Sequence, residues 1–149
     1  MTKTKTQPIP FLLFFIFLFL VTSSCSDNFQ DGNAAYIRGE YKKAIELFLP
    51  LAEQGNVEAQ YNLGAIYSDD YRQEYNLKEA LKWYQTAADN GYAKAQKDLG
   101  YMYLNGEGVQ EDYKEAMKWF KLAADQGNEQ AKKNFEVVKN LEKQLLEKK

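Results

Sequence analysis

Residues 95–127, AQKDLGYMYLNGEGVQEDYKEAMKWFKLAADQG, are the most complete copy of a unit that recurs along the 149-residue chain. A shift of 36 residues superimposes the following small and aromatic residues: Ala59, Ala95 and Ala131; Leu63 and Leu99; Gly64 and Gly100; Ala44, Ala80 and Ala116; Leu47, Trp83 and Trp119; Phe48, Tyr84 and Phe120; Gly55, Gly91 and Gly127. A fixed period of about 20 to 50 residues is typical of solenoids, in which each unit buries its apolar face against its neighbours. The sequence therefore predicts an all-α repeat array.

Apolar residues within each unit follow the spacing of one buried helical face, as Ala44, Phe48 and Leu51 do. The predicted helices cover 33–38, 41–51 and 57–68, then a helix from about 76, the counterparts of these last two helices one unit later, and a last helix over 129–147. These helices define repeats at about 34–55, 56–90 and 91–126, followed by a capping helix. In this last helix we expect Ala131, Phe135, Val138, Leu141 and Leu145 on the apolar face.

Two helix starts carry the same near-match to a capping box. Asn76 is followed three residues later by Glu79, and Asp112 by Glu115. In each pair, we expect the side chain of either residue to accept a hydrogen bond from a free backbone N–H group at the start of the helix. Gly55 supplies a left-handed residue at the end of the helix before it. Pro50 lies inside that helix, where we expect a kink or a weakened turn.

The first 24 residues are predicted to be a signal peptide. Lys3 and Lys5 precede an apolar run of eleven residues, Phe11 to Val21, which is too short to cross a hydrocarbon core about 30 Å thick. Its length fits the apolar core of a secretory signal. Residues 25–33 are polar and predicted to be a short tether, whose end could already be helical.

Cys25, the only cysteine, follows Thr22-Ser23-Ser24, and this stretch resembles the lipobox of bacterial lipoproteins, although Thr22 departs from the usual Leu. The resemblance implies cleavage before Cys25, a membrane anchor through acyl chains on Cys25, and export to the cell envelope. By the same resemblance, Ser26 after the cysteine implies the outer membrane, with the protein facing the periplasm. An ordinary secretion signal and an uncleaved anchor are the alternatives.

Composition excludes several kinds of site. The chain has no histidine and one cysteine, which rules out an intramolecular disulfide and the usual His or Cys metal clusters. Its 19 basic and 21 acidic residues form no basic stripe, which argues against a nucleic-acid partner. Acidic pairs such as Asp69-Asp70 are better explained as loop charges and helix caps. We therefore predict neither a catalytic site nor a cofactor.

The repeated residues resemble the Sel1-like repeat, a relative of the tetratricopeptide repeat, with the pattern A-x-x-L-G-x-x-Y, G-x-G-V, D, a K/E-A pair, W-Y/F and A-A-x-x-G. Residues 95–127 match nearly all of it, and residues 59–91 match except in the loop 69–76. Residues 34–55 match only its second half. The resemblance implies a right-handed α/α solenoid of two and a half to three helix pairs plus a capping helix. Members of this family generally act as protein–protein interaction scaffolds.

By similarity to tetratricopeptide arrays, the first helix of each unit lines a concave face with the residues that point away from the core. The partner-binding residues predicted on this face are Glu58, Tyr61, Lys94, Lys97, Tyr101, Leu104 and Lys133, with Ala65, Ser68, Gln130 and Val137 in register beside them. Tyrosine is favoured at interfaces because it combines a large area with a polar tip. We expect this face to bind an extended or helical peptide of an unidentified protein.

Two other functions stay open at this point. Some cysteine-rich Sel1-like proteins are described as β-lactamases, but the regularly spaced cysteine pairs of those proteins are missing here. A self-associating structural lipoprotein, with the amphipathic C-terminal helix as the contact, is the third possibility.

Overall fold

A computed structural model describes residues 28–70, 72 and 74–147. Seven α-helices make up this part: residues 28–37 (α1), Tyr41–Glu53 (α2), Val57–Ser68 (α3), Leu77–Asp89 (α4), Ala93–Asn105 (α5), Tyr113–Asp125 (α6) and Glu129–Glu147 (α7). No strand occurs within the described ranges. The predicted signal segment 1–24, Cys25 and Ser26 lie outside them.

The helices pack in chain order. From α2 to α7, each helix contacts the next one, and α5 also contacts α7. The core is shared between successive units: Trp83 of α4 packs with buried residues of α1, α2 and α3, and Trp119 of α6 packs with those of α4 and α5. This arrangement confirms the predicted all-α solenoid of helix pairs.

Three glycines allow a helix pair to pack closely. A Cβ atom on Gly64 would lie 2.6 Å from the Tyr84 ring, and one on Gly100 would lie 2.7 Å from the Phe120 ring. Gly32 has the same relation to Phe48, at 2.6 Å. The first unit is therefore a complete helix pair.

The first helix begins earlier than the predicted residue 33, because residues 28–33, at the end of the predicted tether, are already helical. Phe29 packs on Phe48, with ring centroids 5.7 Å apart. The α1–α2 turn is shorter than the later connections, so a fixed shift of 36 residues does not align Gly32 with Gly64.

The predicted caps are half confirmed. The Asn76 side chain accepts hydrogen bonds from the backbone N–H groups of Lys78 and Glu79, and Asp112 does the same one unit later. The second bond of a capping box, from the Asn76 N–H to the Glu79 side chain, is not formed among the described residues. The Asn76 N–H donates instead to the Tyr67 carbonyl, 2.8 Å away. Glu79 instead accepts from Lys82 at 3.3 Å.

The end of α2 agrees with the predicted glycine cap. Gly55 has a φ of +90° and donates its N–H to the carbonyl of Ala52 at 3.0 Å. Pro50 does not end the helix, which continues to Glu53.

The connection between α3 and α4, residues 69–76, has no glycine, unlike the corresponding loop of the next unit. Arg72 of this connection contacts two tyrosine rings of the first unit. The Arg72 guanidinium carbon lies 5.0 Å from the Tyr36 ring centroid and 4.1 Å from that of Tyr41. Its Nε atom forms a 2.7 Å ion pair with Asp69. Arg72 thus attaches the second unit to both helices of the first.

The last described helix, α7, exposes many charged side chains. Ala131 and Val138 of the predicted apolar face are buried, whereas Leu141 and Leu145 of the same face are 37% and 40% exposed. Glu136 stands one unit after Gly100. A side chain at this position hinders the close approach of another helix, and a polar outer face is what a terminal repeat requires.

Candidate functional site

The predicted partner-binding residues all lie on α3, α5 and α7. We call the surface formed by these residues and their neighbours on the same helices the first-helix face. Glu58 and Tyr61 come from α3, Lys133 comes from α7, and the other predicted residues come from α5. The predicted residues thus come from the first helices of successive units, 36 residues apart in sequence.

Asp98 joins two of the predicted residues. The Tyr61 hydroxyl donates to Asp98 Oδ2 at 3.0 Å, which links α3 to α5. Lys97 Nζ lies 2.7 Å from Asp98 Oδ1. Because both carboxylate oxygens are engaged, Asp98 fixes the positions of a tyrosine and a lysine on the first-helix face.

Tyr61 is half-buried and packed rather than free in a groove. Its ring centroid lies 5.7 Å from that of Tyr84 and 5.2 Å from that of Tyr92. Burial first, and then the negative charge of Asp98, raise the pKa of the Tyr61 hydroxyl above its usual value. Tyr61 therefore contributes to the packing between units as well as to the surface.

Tyr101 is also half-buried. Its ring meets Phe120 edge-on, with centroids 5.2 Å apart, and the Lys97 ammonium lies 5.8 Å from its centroid. Leu104, one turn further along α5, is half-buried against the same core. These two residues form the inner part of the surface.

Other residues of the first-helix face are exposed to solvent. Glu58, Lys94 and Lys133 are exposed, and Val137, one turn after Lys133, is 65% exposed. The surface thus combines charged groups with an apolar residue that no helix of the described chain covers.

A row of short polar side chains on the same helices was missed at the level of sequence. It consists of Asn62, Asp98 and Asn134, spaced by 36 residues, and the repeat period was a signal that could have found it. Asn62 donates to Asn33 Oδ1 at 3.2 Å, which links α3 to α1. Asn134 accepts from Gln130 at 3.0 Å, and its buried Nδ2 has no partner within the described chain.

Two buried glutamines, also missed, connect successive units. Gln96 Nε2 donates to the Ala88 carbonyl at 3.1 Å, and Gln96 Oε1 accepts from Gln126 at 2.7 Å. Gln60 repeats this arrangement one unit earlier. Gln60 and Gln96 directly follow the aligned alanines Ala59 and Ala95, so the period of 36 residues could have indicated them.

The described residues contain no group of three or more His, Cys, Asp or Glu side chains placed to hold a metal ion. In the same part of the chain, none of the helices combines the length and the apolar character needed to cross a membrane.

A family model described as the Sel1 repeat matches residues 28–56, 57–92 and 93–128. None of the curated proteins compared with the chain matches it.

Solved structures give the same family. A Sel1 repeat protein from Oxalobacter formigenes is 34% identical, over 76% of this chain and 48% of that one, with a TM-score of 0.68. A protective antigen of uropathogenic Escherichia coli strains, which displays an SLR fold, is 31% identical over 80% of this chain and 26% of its own, with a TM-score of 0.67.

Cysteine rich protein B of Helicobacter pylori shares the fold, with a TM-score of 0.60 at 23% identity over 76% of this chain and 88% of its own. The chain spans about half the length of the Oxalobacter protein and about a quarter of the Escherichia coli antigen.

Proposed function

Because the chain belongs to the Sel1 repeat family, whose model matches three consecutive units, we propose that it is a scaffold that binds a segment of another protein on its first-helix face. Sel1 repeat proteins are generally protein–protein interaction scaffolds and are typically not enzymes. We further propose that the scaffold works in the bacterial cell envelope, tethered to a membrane by its N-terminus.

The observation that carries this proposal is the exposure of Val137 on the first-helix face. It is 65% exposed and lies one turn from the exposed Lys133, next to the unit that contributes Tyr101 and Leu104. An exposed apolar side chain beside aromatic and cationic residues from a neighbouring unit suits a protein interface.

Affinity capture from the native envelope tests the proposal. Wild type is compared with a Lys133→Glu/Val137→Glu variant, in which two exposed side chains of the first-helix face become acidic. Tyr61 and Tyr101 are less suitable targets, because their rings pack against the core. The matched control is Lys42→Glu/Leu122→Glu, which changes an exposed lysine on α2 and an exposed leucine on α6.

We expect wild type and the control to capture the same protein, and the first-helix variant to lose it while keeping its melting temperature. Capture that survives in the first-helix variant but is lost in the control would place the binding surface on the second helices and reject the proposal.

The membrane tether is supported by the sequence around Cys25. Only two residues, Ser26 and Asp27, separate Cys25 from the described start of α1 in the sequence, so an anchor on Cys25 would leave little chain between the membrane and the scaffold. The scaffold would then work close to the bilayer surface, in our proposal the periplasmic side of the outer membrane. We expect Cys25→Ser to move the protein from the membrane fraction to the soluble fraction, whereas unchanged fractionation would reject the lipid anchor.

A further inference from the structure

One side of the first helix, α1, is not covered by any other described helix. Gly32 and Gly64 occupy the same place in successive units, because each faces an aromatic ring of the second helix of its unit. Two residues after Gly64, Ile66 is fully buried in a core that includes Ala35 of the preceding unit. Two residues after Gly32, the corresponding Ala34 is only half-buried, since no described unit precedes it.

We call the row Gln30, Ala34 and Ile37 the end face of the array. These residues are spaced by four and three positions, so they lie on one side of α1. Ile37 is 82% exposed, more than any other large apolar side chain of the described chain. The residues that correspond to Gln30 in α3 and α5 are Asn62 and Asp98, and both bond to the preceding unit. The end face is therefore the side of α1 that a preceding unit would cover.

No charged residue interrupts the end face. Asp31 is the only charged residue of α1, and it lies roughly 120° around the helix from Ile37. The charges that follow Ile37 in the turn are of both signs: Arg38 and Glu40 form a 2.7 Å ion pair, and Lys43 lies 3.8 Å from the same carboxylate. The end face thus favours an apolar environment and does not select a partner of one charge.

The proposed lipid anchor would hold the end face next to a bilayer. Only Ser26 and Asp27 separate Cys25 from α1 in the sequence. From residue 28 to Ile37, α1 rises by about 15 Å. A tether as short as this raises the local concentration of the membrane surface at Ile37, so a contact that is weak on its own becomes populated.

We propose that the end face docks on the bilayer that holds Cys25, with the Ile37 side chain among the acyl chains, and that the later units project away from the membrane. This inference rests on the proposed lipid anchor and adds the orientation of the scaffold to it. In this orientation α5 and α7 are held away from the bilayer, so their part of the first-helix face stays accessible to another protein.

Quenching of tryptophan fluorescence by brominated lipids tests this orientation, because bromine on the acyl chains quenches only at close range. The mature protein is reconstituted into vesicles of phosphatidylcholine with and without bromine. Ile37→Trp is the probe, and Leu122→Trp on α6 and Leu146→Trp on α7 are the matched controls, since both leucines are also exposed. The native Trp83 and Trp119 are buried and give the same background in every variant.

We expect the emission of Ile37→Trp to shift to shorter wavelength and to lose intensity in brominated vesicles, and the two controls to show neither change. Tryptophan itself favours the membrane interface, so Gln30→Trp reports on the same face with Ile37 in place. Its quenching should fall when Ile37→Asp is added. Cys25→Ser should abolish the quenching of both probes, because the contact depends on the tether.

Mass spectrometry of the mature protein separates this inference from the anchor on which it rests. If Cys25 carries acyl chains but neither end-face probe is quenched, or if all positions are quenched equally, the inference is overturned and the anchor stands. A mature protein without acyl chains on Cys25 would reject both. A dimer of the Cys25→Ser variant in sedimentation that Ile37→Asp dissociates would assign the end face to a second copy instead.

Discussion

At the scale of single residues, the glycines of α3 and α5 control how closely each helix pair packs. Gly100 has no side chain where a Cβ would lie 2.7 Å from two atoms of the Phe120 ring, which is fully buried. The repeat period aligned Gly100 with Gly64 from sequence alone, and the structure identifies the ring that each glycine faces. The period missed the corresponding Gly32, because the first unit has a shorter turn.

Gly100→Ala should destabilise the fold, although alanine is the better helix former. The methyl group must displace the buried Phe120 ring, and such overpacking costs about 1–3 kcal/mol. Urea denaturation measures the change, and Phe120→Leu provides the matched background. In that background the penalty should shrink, whereas an equal penalty in both backgrounds would contradict the contact.

Tyrosine ionisation makes stability depend on alkaline pH. Burial, followed by the charge of Asp98, raises the pKa of Tyr61, and burial raises the pKa of Tyr84. The unfolded chain releases these protons near pH 10, but the folded chain holds them to higher pH, so this contribution is complete below about pH 10 and falls as pH rises.

We therefore expect the free energy of unfolding to fall less steeply for Tyr61→Phe than for wild type above about pH 10. Denaturant titrations at several pH values provide the comparison. Parallel curves for the two proteins would mean that Tyr61 does not ionise on unfolding in this range.

At the scale of secondary-structure elements, the loop 69–76 is where sequence reasoning reached least far. Its composition gave no glycine signal, and nothing in the repeat pattern indicated that Arg72 would stack on Tyr36 and Tyr41. A contact between distant residues that occurs in one unit only has no period, so it cannot be found by aligning the units.

Arg72→Lys should lower stability by about 1–2 kcal/mol, because lysine keeps the charge but loses the planar stacking on two rings. A thermal melt of the purified protein measures this effect, with the exposed Lys42→Arg as control. An unchanged melting temperature for Arg72→Lys would show that the positive charge, without planar stacking, accounts for the contribution of Arg72 to stability.

The terminal helices illustrate the same limit of prediction. The bounds of α7 were predicted correctly, since its charge pattern and apolar spacing are local properties. The exposure of Leu141 and Leu145, at 37% and 40%, does not follow from that spacing, because one unit earlier their positions correspond to Asn105 at the exposed end of α5 and to Val109 in a loop. These leucines are better read as surface than as core.

At the scale of the whole molecule, stability depends on contacts between neighbouring units. Gln96 is 4% exposed and connects the end of α4 to Gln126 beyond α6. Gln96→Leu keeps the volume but removes both hydrogen bonds, so we expect a loss of about 1–2 kcal/mol. Gln110→Leu, at an exposed loop position, should change stability by no more than roughly 0.5 kcal/mol. Equal effects in urea denaturation would contradict the role of Gln96.

The period of 36 residues was sufficient to predict the array, its core and most helix bounds, because neighbouring units repeat the same contacts. The candidate surface was predicted less completely. Its residues were assigned to the correct helices, but the half-buried state of Tyr61 and Tyr101 depends on aromatic contacts between helices. The occupant of the surface is a proposal, because its chemistry is set by a second molecule.

The central claim is that the first-helix face of the array binds another protein. Site-specific photo-cross-linking in the native envelope tests it most directly, with a photoreactive phenylalanine analogue in place of Val137 or, as control, in place of Leu122. Both positions are exposed, at 65% and 40%, but they lie on α7 and α6 respectively. We predict a discrete adduct with another protein from position 137 and none from position 122. The same adducts from both positions, or adducts from position 122 alone, would contradict the account.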